Sequence, residues 1–393
     1  MTHRAYTRAL ATAVLVAAAF LALPAAAFDG LVKKEIFTMP AYTTVNGKTI
    51  KNVRVGFESY GTLNAAKDNV ILICHFFTGT SHAAGKYKPE DAAAGYWDAI
   101  IGAGRAIDTD KYFVISSDTL LNVNTKDPNV TTTGPSTINP DTGKPYGVTF
   151  PVVSFRDFVN VQKALLDSLG IKKLVAVAGP SGGGIQATEW AAAYPDMVER
   201  VIAVIAPGLE IDAYGIGALN LWGTPITMDP KWNAGDYYGR EEPTEGVAQS
   251  LKVLALTLGT NAGMDKRFGR KWASPDKDPA AAMGNLFAIE DGLYKGAAAR
   301  ATTVDANHFL YLVKTNQLFS VTADAKKIKA RFLFVPAKSD PLFPPWMARR
   351  TVETLRAQGN AADIFELEGD GGHYDGIFQV SQASAVIRDF LSR

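Results

Sequence analysis

The stretch Val175–Trp190, VAVAGPSGGGIQATEW, crowds Gly179, Gly182, Gly183 and Gly184 around Ser181. An apolar run, KLVAVAGP, leads into it, and an Ala-rich segment with helical spacing follows. Neither a strand nor a helix favours glycine, so the glycines answer a steric demand at a strand–helix turn. Gly179-Pro180-Ser181-Gly182-Gly183 fits G-x-S-x-G, the pattern of a nucleophile elbow. Such a turn holds its serine at positive φ, a strain of about 1–3 kcal/mol. It needs small elbow residues at Gly179 and Gly183, and it presents Oγ alone at the tip of a sheet. The amide of Gly182, at the start of the following helix, is free to hold an oxyanion. A phosphate-binding turn is the competing explanation, but G-x-G-x-x-G and a Lys-Ser/Thr pair are both absent.

A serine needs a base and the base needs an acid, in this architecture in the chain order Ser, Asp or Glu, His. Only His308 and His373 follow Ser181. His308 lies in the helical stretch DANHFLYLVK and reads as an ordinary helix position. His373 lies in EGDGGHYDG, a glycine-rich loop directly after the strand pattern DIFELEG, and is the candidate base. Asp340, in RFLFVPAKSDPLFPP, closes the preceding strand and is the preferred acid. Asp370 and Asp375, on the loop of His373 itself, are the rivals. A second oxyanion donor belongs after an earlier strand, and the amide of Phe77 in NVILICHFFTGTSHAAG is the candidate. His75 and His82 flank that loop and read as structural. No group of His, Cys, Asp and Glu has zinc-site spacing, so neither a metal nor a cofactor is expected.

Around the elbow, short apolar runs (VRVGFESYG, NVILICHFF, YFVISSD, KLVAVAG, RVIAVIA) alternate in part with helical segments. Continuous apolar strands predict a mostly parallel sheet covered by helices on both faces, with VRVGFESYGTL as an antiparallel edge. The loop over 122–147 lacks periodicity and is long enough to suggest a functional role. From Pro207 the alternation stops. GVAQSLKVLALTLGTNAG and PAAAMGNLFAIEDGLYKGAAARA read as lid helices, before ARFLFVPAK, ADIFELEG and the helix SQASAVIRDFLSR resume the α/β pattern. The expected organisation is an α/β-hydrolase core over 28–206 and 304–393, with a helical lid insertion over 207–303.

Residues 1–27 carry Arg4 and Arg8, an apolar run and the small residues Ala25 and Ala27, the pattern of a cleaved signal peptide. The apolar run falls short of the ~20 residues of a membrane anchor. Loss of those arginines takes the net charge from +1 to −1, which speaks against nucleic acid as a partner. One cysteine, Cys74, allows no internal disulfide, and an exported chain without one suits a periplasmic or secreted setting.

The sequence resembles the homoserine O-acetyltransferase group of the α/β-hydrolase superfamily. The likeness is densest in FTGTSHAAG, GYWDAIIGAGRAIDTDKYFVISSD, TTGPSTINPDTGKPYG, FPVVSFRDFVNVQKALLDSLGI and YPDMVERVIAVIA, and continues in DPKW, KRFGRKW, DANHFLYL and SDPLFPP. The resemblance implies Ser181 as nucleophile, Asp340 as acid, His373 as base and the Phe77 and Gly182 amides as oxyanion donors. It also implies a lid with a tunnel to the serine and a homodimer through that lid. Three positions depart. Gly182 stands where the family usually has Met. Tyr374 stands where the transferases place Asp after the histidine, with Asp375 one place later. Gly223, beside Trp222, stands where a lid Arg grips the amino acid's carboxylate.

These departures, together with export away from cytosolic acetyl-CoA, set the expectation: a serine hydrolase cleaving a small-molecule ester with a short acyl group. An O-acyltransferase of the family's type is the alternative. A non-catalytic binding protein on the same fold is the third reading, disfavoured because a binder has no use for a strained serine. Arg240 and Arg270 are the candidates to replace the missing lid cation.

Overall fold

The apolar runs form one eight-stranded sheet in the computed structural model, which describes residue 28 and residues 30–393. The expected leader, residues 1–27, lies outside the described residues. The strands are β1 (Glu35–Thr43), β2 (Thr49–Tyr60), β3 (Val70–Cys74), β4 (Phe113–Ser117), β5 (Ala176–Pro180), β6 (Arg200–Val204), β7 (Arg331–Val335) and β8 (Ala362–Ile364). Their spatial order is β1-β2-β4-β3-β5-β6-β7-β8. The β1–β2 and β2–β4 pairs are antiparallel and all others parallel.

β3 shows why a run such as VILIC carries no alternation. Val70, Leu72 and Cys74 pack into one core layer, Ile71 and Ile73 into the other, because successive side chains point to opposite faces. Helices α1 (Phe155–Ser168) and α2 (Gly182–Ala193) cover the first face. They are tied together by Trp190 Nε1 donating to Gln162 Oε1 at 2.7 Å. α1 starts where the Ser154 N–H donates to Asp157 Oδ2 at 2.7 Å, a cap that satisfies one of the donors a helix start leaves unpaired.

β2 is antiparallel as its pattern predicts, but it is not the edge. That place belongs to β1, whose pattern gave no strand signal because most of its residues are exposed. Pro40, which lacks an N–H, is tolerated there because an edge strand need not pair on both sides.

Five helices fill the stretch between β6 and β7: α3 (Ala213–Met228), α4 (Thr244–Leu258), α5 (Asn261–Arg267), α6 (Ala288–Ala301) and α7 (Ala306–Gln317). The run GVAQSLKVLALTLGTNAG is two helices. It breaks at Gly259, and Thr260 Oγ1 accepts the Gly263 N–H at 2.9 Å to open α5. The helix expected from Pro279 begins only at Ala288. Pro279, Gly284 and Asn285 weaken the first part, and the Phe287 N–H finds its cap on Glu290 Oε2 at 2.8 Å. Helices α8 (Pro345–Ala357), α9 (Asp375–Phe378) and α10 (Ser384–Ser392) complete the chain, with Ile387, Phe390 and Leu391 of α10 on the second core layer. Among the described residues no helix is long and apolar enough to cross a membrane.

Candidate active site

Ser181 stands between the end of β5 and the start of α2 at φ +55°, ψ −118°, in the left-handed half of backbone space. A side chain at Gly179 would meet the carbonyl oxygen of Cys74, at the end of β3, at 2.5 Å, and one at Gly183 would come closer still. Both elbow glycines are therefore required by the neighbouring strand as well as by each other. Gly182 is different: a Cβ there would lie 3.5 Å from Phe77 N, an ordinary contact. That nearness brings the Gly182 and Phe77 amides to one spot beside the serine. Neither amide donates to another group among the described residues.

His373 Nε2 is 2.8 Å from Ser181 Oγ, and His373 Nδ1 is 2.7 Å from Asp340 Oδ2. In the neutral state that fits this geometry, the serine hydroxyl donates to Nε2 and Nδ1–H donates to the carboxylate. Asp340 Oδ1 accepts the N–H groups of Leu342 (2.8 Å) and Phe343 (3.0 Å), so both carboxylate oxygens are fixed. Asp340 and His373 are 3% and 4% exposed, dry enough to strengthen these bonds. The rival acids do other work. Asp375 Oδ2 accepts the Gly371 N–H at 3.0 Å and folds the loop that carries His373, and burial pushes its pKa up. The carbonyl of Asp370 accepts from Thr260 Oγ1 at the start of α5.

The other histidines brace the surrounding loops. His75 Nδ1 donates to the Phe76 carbonyl at 2.8 Å, and burial holds its pKa below the ordinary value. His82 contacts Glu58 at 3.0 Å and stacks on Tyr87. His308 is fully buried, with Nδ1 on the Asn122 carbonyl at 2.9 Å and Nε2 accepting the Ser136 N–H at 3.2 Å. The long loop over 122–147 finds its purpose here: Asn122 and Asn124 donate to Gly79 O (3.1 Å) and Thr78 O (3.2 Å), holding the turn that carries Phe77.

Sequence reading missed a buried charge network behind the same turn. Glu58, fully buried, meets Lys34 Nζ at 2.8 Å and accepts from Tyr87 (2.6 Å) and Tyr60 (2.9 Å). Burial alone would raise its pKa, but the hydrogen bond from His82, the charge of Lys34 and the hydrogen bond from Tyr87 bring it down to about 2. The Tyr60 hydroxyl in turn accepts the N–H groups of Ala83 (3.0 Å) and Ala84 (3.2 Å), and Asp118 Oδ1 accepts that of Ser81 (2.9 Å). The alternation in β2 puts Glu58 on the face opposite Val53, Val55 and Phe57, so nothing in it marks Glu58 as buried. It carried no sign of Lys34, which reaches it from β1's side of the sheet.

Two cavities meet at Ser181. The larger, about 250 Å³, is roofed by Leu251, Leu254 and Leu258 of α4, by α6 and by Trp222 of α3. The smaller, about 20 Å³, lies between Leu219, Trp222, Leu342 and Phe343. Gly223 lines neither: a side chain there would run into Leu310. Arg240 and Arg270 do not line the larger cavity either. Arg240 lies by Asp236 and Arg270 over the Phe287 ring, whereas Arg267 and Arg300 do line it. Their positions depend on how α5 and α6 pack, which local sequence does not reveal.

The family described as alpha/beta hydrolase fold matches residues 69–379. The homoserine O-acetyltransferase of Methanohalobium evestigatum is 37% identical over 370 residues, 92% of this chain and 74% of that protein. The crystal structure of esterase E22 superposes with a TM-score of 0.88 at 48% identity, over 92% of this chain and 100% of that one. The homoserine O-acetyltransferase from Bacillus anthracis also superposes at 0.88, with 38% identity over 92% of this chain and 98% of the other.

Proposed function

The chain belongs to the homoserine O-acetyltransferase-like family of the α/β-hydrolase superfamily and is an enzyme acting on an ester; from that premise we propose that it is an O-acyltransferase that passes a short acyl group through Ser181 to a bound hydroxyl. The observation that carries this reading is the Asp340–His373–Ser181 chain of hydrogen bonds beneath a largely apolar cavity. Ser181 Oγ gives its proton to His373 Nε2 and attacks the ester carbonyl carbon, while the Phe77 and Gly182 amides hold the developing oxyanion. The C–O bond to the first alcohol breaks, and His373 returns the proton to that alcohol. The acceptor hydroxyl then gives its proton to His373 and attacks the acyl carbon. Collapse releases the new ester and reprotonates Ser181. Asp340 keeps Nδ1 protonated and stabilises the imidazolium at each stage.

The likeness to acetyltransferases shifts the balance from the hydrolysis expected from sequence towards transfer. An apolar lining supports the same shift, because an alcohol with an apolar body gains by displacing water there. Hydrolysis remains the second reading, favoured by Tyr374 beside His373 and by the 48% identity to an esterase. A leader over 1–27, export to the periplasm or beyond, a lid over 207–303 and pairing of two copies through that lid belong to the proposal, and with them a donor that is an ester rather than acetyl-CoA. Incubation with p-nitrophenyl acetate and a panel of short hydroxy compounds, homoserine included, tests it. Saturable, acceptor-dependent formation of a new ester is expected. Acetate as the sole acyl product across the panel would make the enzyme a hydrolase.

A further inference from the structure

The two cavities at Ser181 differ in size and in charge. The smaller holds about 20 Å³, room for little more than a methyl group, and among the described residues it is lined without a charged side chain. The larger carries Arg267 and Arg300, and no Asp or Glu is among the described residues that line it. The Arg300 Nη2 donates to the Thr78 carbonyl at 2.5 Å and to Asn124 Oδ1 at 2.9 Å, both neutral acceptors beside the turn that carries Phe77. Asp127 acts on Arg300 only through space. Arg267 rests on the Phe268 ring at 4.9 Å, and its charge is felt at Tyr374, next to His373. Elsewhere some arginines are paired, Arg156 with Glu189 and Asp324 and Arg105 with Asp98, while others such as Arg270 and Arg350 rest on aromatic rings away from the cavity; Arg267 and Arg300 are set apart by lining the nucleophile's cavity. Two arginines facing the nucleophile's cavity, neither in an ion pair among the described residues, suit an anion that arrives with the substrate. The Tyr374 hydroxyl, which donates to the Ala255 carbonyl at 3.3 Å, supplies no negative charge for an ammonium group.

We infer that the smaller cavity takes a short acyl chain and that the larger is a subsite for an alcohol bearing a carboxylate or phosphate but no ammonium group, recognised by Arg267 and Arg300; this rests on the acyl-enzyme at Ser181 proposed above. The natural alcohol is on this view a hydroxy acid or a hydroxyalkyl phosphate. A neutral alcohol leaves both guanidiniums unused. An amino acid brings an ammonium that the cavity must desolvate without a counter-charge.

The test compares kcat/KM for four acetyl esters of similar length: 4-acetoxybutyrate, its neutral amide, O-acetylhomoserine and 3-acetoxypropyl phosphate. At low ionic strength the anionic esters should exceed the amide by about tenfold, the size expected of a charge-assisted contact at a cavity mouth. O-Acetylhomoserine should fall below 4-acetoxybutyrate, and added salt should shrink the anion preference. The ratio between the carboxylate and the phosphate ester identifies which anion the subsite fits. In Arg300→Gln and Arg267→Gln the anionic-to-neutral ratio should fall towards one. A structural disturbance alone would lower both esters together and leave the ratio standing. An anionic-to-neutral ratio near one in the wild-type protein overturns the inference, as does a preference that survives both substitutions. Failure of the acyl-enzyme itself would show separately, as p-nitrophenyl acetate turnover that persists in Ser181→Ala.

Discussion

The rim of the sheet and the underside of the helical insertion meet at Ser181, yet they are built in opposite ways. At the rim the reacting groups are already paired: Asp340 holds His373, His373 holds Ser181, and the carboxylate's other oxygen is bound by two backbone amides. Under the insertion, Trp222 and the leucines of α4 make an apolar wall, and two arginines face the cavity without a counter-charge. The rim is preorganised for chemistry common to many esters. Under the inference drawn above, the insertion, whose cavity arginines have no counter-charge among the described residues, is where one substrate is told from another. On that reading the rim carries the reaction and the inserted part carries the choice.

That contrast breaks most sharply at the nucleophile. Ser181→Ala should lower kcat by about 10⁶ with little change in Tm, since only one hydrogen bond of the fold is lost. Loss of the p-nitrophenol burst and of fluorophosphonate labelling checks it, and turnover within a hundredfold of wild type would remove Ser181 from the mechanism. Next comes the acid. Asp340→Asn should cost about 10⁴ in kcat by disturbing the tautomer of His373. Asp375→Asn should cost less than about tenfold, because that carboxylate bonds the loop backbone and not the imidazole. Steady-state rates of the two variants side by side decide between them.

Behind the rim, Glu58→Gln should cost about 3–5 kcal/mol of stability at neutral pH, as expected for breaking a buried ion pair. The sign follows from a folded pKa of about 2 against an ordinary 4.5. The stabilisation is complete above roughly pH 4.5 and is lost as pH falls through about 2. Urea melts across that window should show wild type losing more stability than the variant. On the insertion side, Trp222→Ala would join the two cavities that Trp222 now helps to separate. Hexanoyl esters should gain on acetyl esters by about tenfold in kcat/KM, while the fold loses ~3 kcal/mol or more of packing. An unchanged chain-length profile would mean that Trp222 is no partition. The smallest effect belongs to Gly182→Ala, whose new methyl meets only an ordinary contact at Phe77 N. Rates should stay within about threefold and stability should rise by less than ~1 kcal/mol, measured by kinetics and thermal melts.

Much of the rim was legible in the chain. G-x-S-x-G between an apolar run and an Ala-rich segment is a local pattern, and its glycines answer clashes with residues a few positions away and with one neighbouring strand. Asp340 and His373 could be named because strand texture precedes each of them and the fold dictates their order. β1 could not, since an exposed edge strand buries too little to imprint an alternation. The helix boundaries over 259–288 are not legible either, because Thr260 and Phe287 act through capping bonds that composition does not show.

By itself the sequence determined the strand–elbow–helix unit, the covered parallel sheet and which serine, histidine and aspartate stand at its edge. All of these follow from periodicity and from steric rules that act over a few residues. Only the tertiary structure decided which cations face the nucleophile. Nothing local in the chain separates Arg240 and Arg270 from Arg267 and Arg300, or Gly223 from Trp222. The packing of α5 and α6 over the sheet placed one pair of arginines at the cavity, and the rotation of α3 placed Trp222 at the cavity and Gly223 against Leu310. Such choices depend on contacts between segments far apart in the chain, whose energies no local window of residues contains.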